Sequence, residues 1–236
     1  MRVCKSILFQ LIFFVAFILP LFCVASNISK VDSLREQLTS AKEEDKTAIY
    51  NKLGALFVFN EPDSGIYYAQ LALPLCTKYN NKKQKINSLI VLGDGFQYKS
   101  VYDKSTEFYI QALALSLEEK TLARTSTIYN AIGINYYYFA DYARAKEYML
   151  KSAAIQKQLG KDREYAMCLT NCIGMYQLLQ QYDSAFYYGR ITEKTYLKKK
   201  IFLHLETCIT RLVLFIKRER KILTRQNFII KKLLGF

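Results

Sequence analysis

Four glycines frame this 236-residue chain: Gly54, Gly93, Gly133 and Gly174, each preceded by leucine or isoleucine and set at nearly equal intervals along it. Spacing of that size marks stacked supersecondary units. Inside a helix a glycine costs about 1 kcal/mol relative to alanine, so four recurrences need a compensating reason, and the close approach of a neighbouring helix supplies one. Eleven or twelve residues after each glycine stands a small residue, Gly65, Ser105, Ala145 or Ala185, and seven further on another, Ala72, Ala112, Ser152 or Thr192. Between these columns lies an aromatic one, Tyr68, Phe108, Tyr148 and Tyr188. The small residues let a second helix lie against the first, and the aromatic column fills the gap between successive pairs. In this alignment the first and last copies are one residue shorter between their two helices. With only 9 glycines and 3 prolines in the chain, long uninterrupted helices are expected. The predicted fold class is all-α.

The columns resemble the tetratricopeptide repeat (TPR) family, whose usual unit has 34 residues. The copy with Leu92-Gly93-Asp94-Gly95-Phe96, Tyr102, Phe108, Tyr109 and Ala112 carries the likeness best, followed by that with Tyr129, Ile132-Gly133, Tyr136, Tyr142, Ala145 and Tyr148. The resemblance implies a right-handed superhelical solenoid of antiparallel helix pairs. Four repeats are expected at about 46–82, 83–120, 121–160 and 161–196. The glycine spacing is wider than that usual unit, and the proline that usually closes each unit is missing. Longer helices or loops follow.

Segments flank the array on both sides. Arg2 and Lys5 precede an apolar run from Ile7 to Phe22, broken at Pro20 and followed by Cys23, Val24, Ala25 and Ser26. That is the layout of a signal peptide, residues 1–25, cleaved after Ala25, with an uncleaved anchor as the alternative. Export to the periplasm or envelope follows. In residues 26–45, Val31, Leu34, Leu38 and Ala41 recur at helical spacing and predict a helix capping the first repeat.

The net charge of +14 divides unevenly, for residues 197–236 hold eleven basic and two acidic side chains. Residues 26–196 hold 21 basic and 18 acidic ones, so the repeat body is nearly neutral. In the tail Phe215-Ile216, Ile222-Leu223 and Ile229-Ile230 recur every seven residues between cations. Such an amphipathic stretch could cap the open end of the array, pair with a partner helix or lie on an anionic membrane. The next glycine is due near position 214, where the chain has Leu214, so the tail reads as a diverged or truncated repeat. For an exported chain, nucleic acid is not an expected partner.

The chemistry-bearing residues are few. His204 is the single histidine, so no histidine cluster can hold a metal or relay protons. Cys76, Cys168, Cys172 and Cys208 remain beyond the signal, and their sparse spacing suits packing better than a disulfide framework. No nucleophile–base pair or phosphate loop appears, so no enzymatic activity, cofactor or metal is expected.

The resemblance implies that the first helix of each pair lines a concave, partner-binding surface. Three copies carry an asparagine three residues before the glycine, Asn51, Asn130 and Asn171. Amides spaced one repeat apart could hold an extended peptide backbone, a ladder that reads no sequence. Phe59, Asp94, Gln97, Tyr98, Ile134, Tyr137, Tyr138, Met175 and Leu178 fall on the same expected face. The expected function is a protein- or peptide-binding scaffold. Exported arrays of this style also resemble the sensory regions of bacterial two-component and transcriptional regulators, which makes a sensor input region the alternative. A membrane-surface adaptor acting through the basic tail is the third reading.

Overall fold

The computed structural model describes residues 30–198, which form nine helices. The signal segment 1–25, residues 26–29 of the expected cap and residues 199–236 of the basic tail, with His204 and Cys208, lie outside the described residues. The chain divides into two compact units, residues 1–101 and 102–236. The first unit holds α1 (residues 30–40), α2 (Glu43–Phe57), α3 (Pro62–Lys78) and α4 (Lys82–Tyr98). In the second are α5 (Tyr102–Glu118), α6 (Leu122–Tyr138), α7 (Tyr142–Gln158), α8 (Asp162–Leu178) and α9 (Tyr182–Lys198). The boundary falls inside the expected second repeat, whose two helices belong to different units. Among the described residues no helix is long and apolar enough to cross a membrane.

From α3 to α9 every helix has 17 residues. Their starts fall at Pro62, Lys82, Tyr102, Leu122, Tyr142, Asp162 and Tyr182, an unvarying step. The links enforce this regularity. Six helices end in the same way, with an amide reaching back five residues, as in Asn81 to Cys76 O at 2.8 Å, Asp141 to Tyr136 O at 2.9 Å and Gln181 to Tyr176 O at 2.8 Å. This is the Schellman closure, which needs one residue in the left-handed region. That residue is Asn80, Ser100, Lys120, Ala140, Gly160 or Gln180, with φ between 49° and 68°. Only one of the six is glycine. Replacing Ala140 (φ 58°) with glycine should relieve the left-handed penalty of about 1 kcal/mol and raise stability by up to that amount, measured as a shift of the urea midpoint.

The unvarying step corrects the glycine alignment. Two steps make one helix pair, so Gly93 and Gly133 stand where the flanking copies have Leu53 and Ile173, while Gly54 and Gly174 stand where the middle copies have Asp94 and Ile134. The glycines occupy two adjacent slots, not one. No copy is shorter between its helices. The drift arises because either of two neighbouring positions on a first-type helix can provide the close approach.

In the second-type helices α3, α5, α7 and α9 the small columns keep the period of the helix pair without drift. Gly65, Ser105, Ala145 and Ala185 are all buried, as are Ala72, Ala112, Ser152 and Thr192. The aromatic column is half-buried. Tyr68 stacks on Phe57 at 5.7 Å, Tyr148 on Tyr136 at 5.4 Å and Tyr188 on Tyr176 at 5.2 Å, so each ring seals the seam to the first-type helix of its own pair. Buried instead is the next position, Ala69, Tyr109, Met149 and Gly189.

Glycine is needed where backbones meet. A Cβ on Gly65 would lie 2.8 Å from Val58 Cα and 3.1 Å from Gly54 O, and one on Gly54 would meet Val91 Cγ1 at 2.9 Å. At the α6–α7 crossing a Cβ on Gly133 would meet Met149 Cγ at 2.9 Å and Ala145 O at 3.1 Å.

Candidate functional site

Each unit carries an open cleft among its described residues. The first lies between α1 and α2, about 580 Å³, lined by Lys30, Ser33, Leu34, Gln37, Lys52, Ala55 and Leu56. The second, about 520 Å³, is a groove bounded by Ile134 and Tyr137 of α6 and by Asn171, Gly174, Met175, Gln177 and Leu178 of α8, with the buried Met149 of α7 at its base. This groove gathers five residues of the expected binding face: Ile134, Tyr137, Asn171, Met175 and Leu178. Its apolar rim is open to solvent, with Tyr137 42% and Leu178 49% exposed.

Among the described residues the lining holds no charged side chain. Two amides, Asn171 and Gln177, and the phenol of Tyr137 are the polar side chains of this described lining. Beside the groove the exposed Tyr138 stacks on Tyr102 at 4.5 Å, nearly parallel, and Tyr137 packs edge-on against Tyr138 at 5.5 Å. Aromatic faces held in this way offer contact area at little entropic cost. In the first unit Phe59 and Tyr98 form an exposed edge-to-face pair at 5.1 Å, with Asp94 and Gln97 half-buried on the same helix as Tyr98. Burial and the Asp94 carboxylate raise the Tyr98 phenol above its usual range.

The asparagine ladder does not form as the sequence suggested. Asn51 is buried, its Nδ2 donating to Gln84 O and Oε1, both at 3.0 Å, while its Oδ1 accepts from Ser88 Oγ at 2.8 Å. It ties α2 to α4 and has no amide left for a peptide. Asn130 is half-buried, with Oδ1 4.0 Å from the Cys168 thiol that donates to it. In the register of the helix pairs Asn51 and Asn171 share a slot and Asn130 stands one residue earlier. Only Asn171 lines the groove.

Sequence reading missed a different asparagine. Asn135 is fully buried, its Nδ2 donating to Ser105 Oγ at 2.8 Å and Thr106 Oγ1 at 3.0 Å, which pins α6 to α5. It occupies the slot of Gly95, over which Ile66 packs; a Cβ on Gly95 would meet Ile66 Cγ1 at 2.5 Å. The paired change from glycine over isoleucine to asparagine over threonine is the signal that could have exposed it, visible only in the corrected register.

Cys76, Cys168 and Cys172 are buried and free, and burial raises each thiol, that of Cys172 to about 12, so thiolate nucleophiles are suppressed. Among the described residues no group of three or more histidine, cysteine or acidic side chains could hold a metal ion.

Uniform helix pairs with small-residue crossings and a half-buried aromatic column define a TPR-like helical-repeat protein. The apo form of RapI is similar over 88% of this chain and 80% of its own length, at 17% identity and a TM-score of 0.69. Aspartyl phosphate phosphatase F from Bacillus subtilis reaches a TM-score of 0.74 at 14% identity, over 89% of this chain, and a Rap protein complexed with competence and sporulation factor reaches 0.65 at 18%, over 84% of it. This chain covers 59% and 61% of those two proteins. The TPR sensor-bearing signal transduction ATPase PH0952 from Pyrococcus horikoshii has a TM-score of 0.70 at 12% identity, over 86% of this chain and 33% of its own. No protein-family model matches the sequence, and no curated protein matches it either.

Proposed function

We propose that this chain is a non-enzymatic scaffold that binds a protein or peptide, and that the groove between α6 and α8 takes an extended segment with apolar side chains. The carrying observation is the combination, among the described residues, of a lining without charged side chains, two amides and an exposed aromatic and aliphatic rim in one cleft. Apolar anchors in such a groove supply the binding energy, while amides match main-chain groups. Three Rap-like proteins of similar fold support the reading, one of them complexed with competence and sporulation factor. The phosphatase activity in the name of one of them does not carry over, since likeness at 14% identity extends to the fold alone.

A sensor input region is the second reading, favoured by the likeness to the TPR sensor of an ATPase and by the signal-like residues 1–25. Binding serves both. The test is a displayed library of short peptides, selected on the full chain. Tyr137→Ala and Leu178→Asp are each expected to weaken selected peptides about tenfold with helicity unchanged. Selection of peptides whose affinity neither variant alters would overturn the groove assignment.

A further inference from the structure

Helix α5 carries an apolar stripe on its outer side. Its inner face buries Ser105, Tyr109, Ala112 and Ser116, while Asp103, Glu107, Ile110, Ala114 and Leu117 are exposed on the opposite face, at the spacing with which one helix seats on another. Ile110 is 50% and Leu117 52% exposed. In the other described second-type helices a polar residue interrupts these two slots: Gln70 and Thr77 in α3, Lys157 in α7 and Arg190 in α9. Single exposed apolar side chains are ordinary on a protein surface, but successive ones along one stripe call for a partner.

The charges around the stripe select that partner. Lys104 and Glu118 flank it, Asp103 and Glu107 occupy its first turns, and Lys120 lies in the closing turn, all of them exposed. Two α5 helices laid face to face in parallel would set Asp103 and Glu107 against their own copies, like charge on like. Laid antiparallel about a two-fold axis between Ile110 and Ala114, they behave differently. Ile110 of each copy then packs on Ala114 of the other, Lys104 faces Glu118 twice, and Glu107 is brought toward Lys120 twice. The face is complementary to itself, as an isologous interface must be.

We propose that the outer face of α5 is a self-association surface on which a second copy of this chain docks antiparallel, joined by Ile110, Ala114 and Leu117. The apolar stripe supplies the attraction, since exposed ion pairs contribute little, and the charges set direction and register. A single helix face makes a small interface, so the dimer is a weak one. Among the described residues none of α5 lines the groove between α6 and α8, so this surface and the peptide reading stand or fall separately.

Sedimentation equilibrium on the full chain, at low salt and concentrations up to about 100 μM, reads the association. A monomer–dimer equilibrium is expected. Ile110→Asp and Leu117→Asp should each weaken it by at least about tenfold, with helicity by circular dichroism unchanged. The charge pairs give a stricter test, because both residues are exposed and neither change disturbs the core. Lys104→Glu alone and Glu118→Lys alone place like charges in both pairs, so each variant should self-associate about tenfold more weakly than the unaltered chain. An equal mixture of the two restores both pairs and should dimerise as tightly as the unaltered chain. A chain that stays monomeric at the highest concentration, a dimer that Ile110→Asp leaves intact, or a mixture no tighter than its separate components would each overturn the proposal.

Discussion

Replacing Tyr109 with alanine should lower the unfolding free energy by about 3–5 kcal/mol, the range for emptying a buried aromatic site. The tyrosine is fully buried in α5, where its counterparts Ala69, Met149 and Gly189 are buried too. Its neighbour Phe108 belongs to the half-buried column, so Phe108→Ala should cost clearly less, about 1–2 kcal/mol for partial burial. The measurement is a pair of urea titrations on the full chain, with m-values compared to check that the unfolding transition keeps its character. A larger loss at Phe108 than at Tyr109 would place the buried face of α5 one residue away from where it stands here.

The second large effect opposes helix propensity. Gly65→Ala adds a good helix former inside α3 and, on propensity alone, gains about 1 kcal/mol. The new Cβ would stand 2.8 Å from Val58 Cα and 3.1 Å from Gly54 O. Neither neighbour is the end of a flexible side chain, so α2 and α3 must separate. Overpacking of this kind costs about 1–3 kcal/mol, and Gly65→Val should reach or exceed the upper figure. A melting temperature that rises in the alanine variant would show that the crossing has slack. Expected instead is a fall in both variants, larger for valine.

These residues show where the sequence was informative. The small columns of the second-type helices keep strict register with the helix pairs, and all eight of their members are buried. At Gly65 the residue must be small because backbone lies against it, and burial at the same slots in every copy lets composition and spacing report the crossing directly. The aromatic column was equally legible, since a half-buried ring at a seam has few substitutes.

The first-type helices were harder to read. Close approach can be met at either of two adjacent slots, so aligning glycines shifted the middle copies by one residue. That shift put Asn130 beside Asn51 and Asn171 in an apparent ladder. It also hid Asn135, whose role depends on Ser105 and Thr106 on the preceding helix. Hydrogen-bond partners are a property of packing. A side chain able to hold a peptide is, in Asn51, consumed by the next first-type helix.

The groove shows the same division. Tyr137 and Leu178 could be assigned to one face by helical period, but their meeting with Asn171, Gln177 and Met149 in a single cleft required the placement of α6, α7 and α8. Whether a polar residue is spent or spare depends on which neighbour reaches it.

By itself the sequence determined the fold class, the repeating helix pair and the small and aromatic columns of the second-type helices. Those features are local demands: a helix crossing excludes a side chain wherever it occurs, so each copy repeats the exclusion in its letters. Tertiary structure decided the register of the first-type helices, the fate of each asparagine and the position of the groove. Such features depend on pairs of residues far apart in the chain, and a pair satisfied by isoleucine over glycine or by threonine under asparagine leaves no common letter to read.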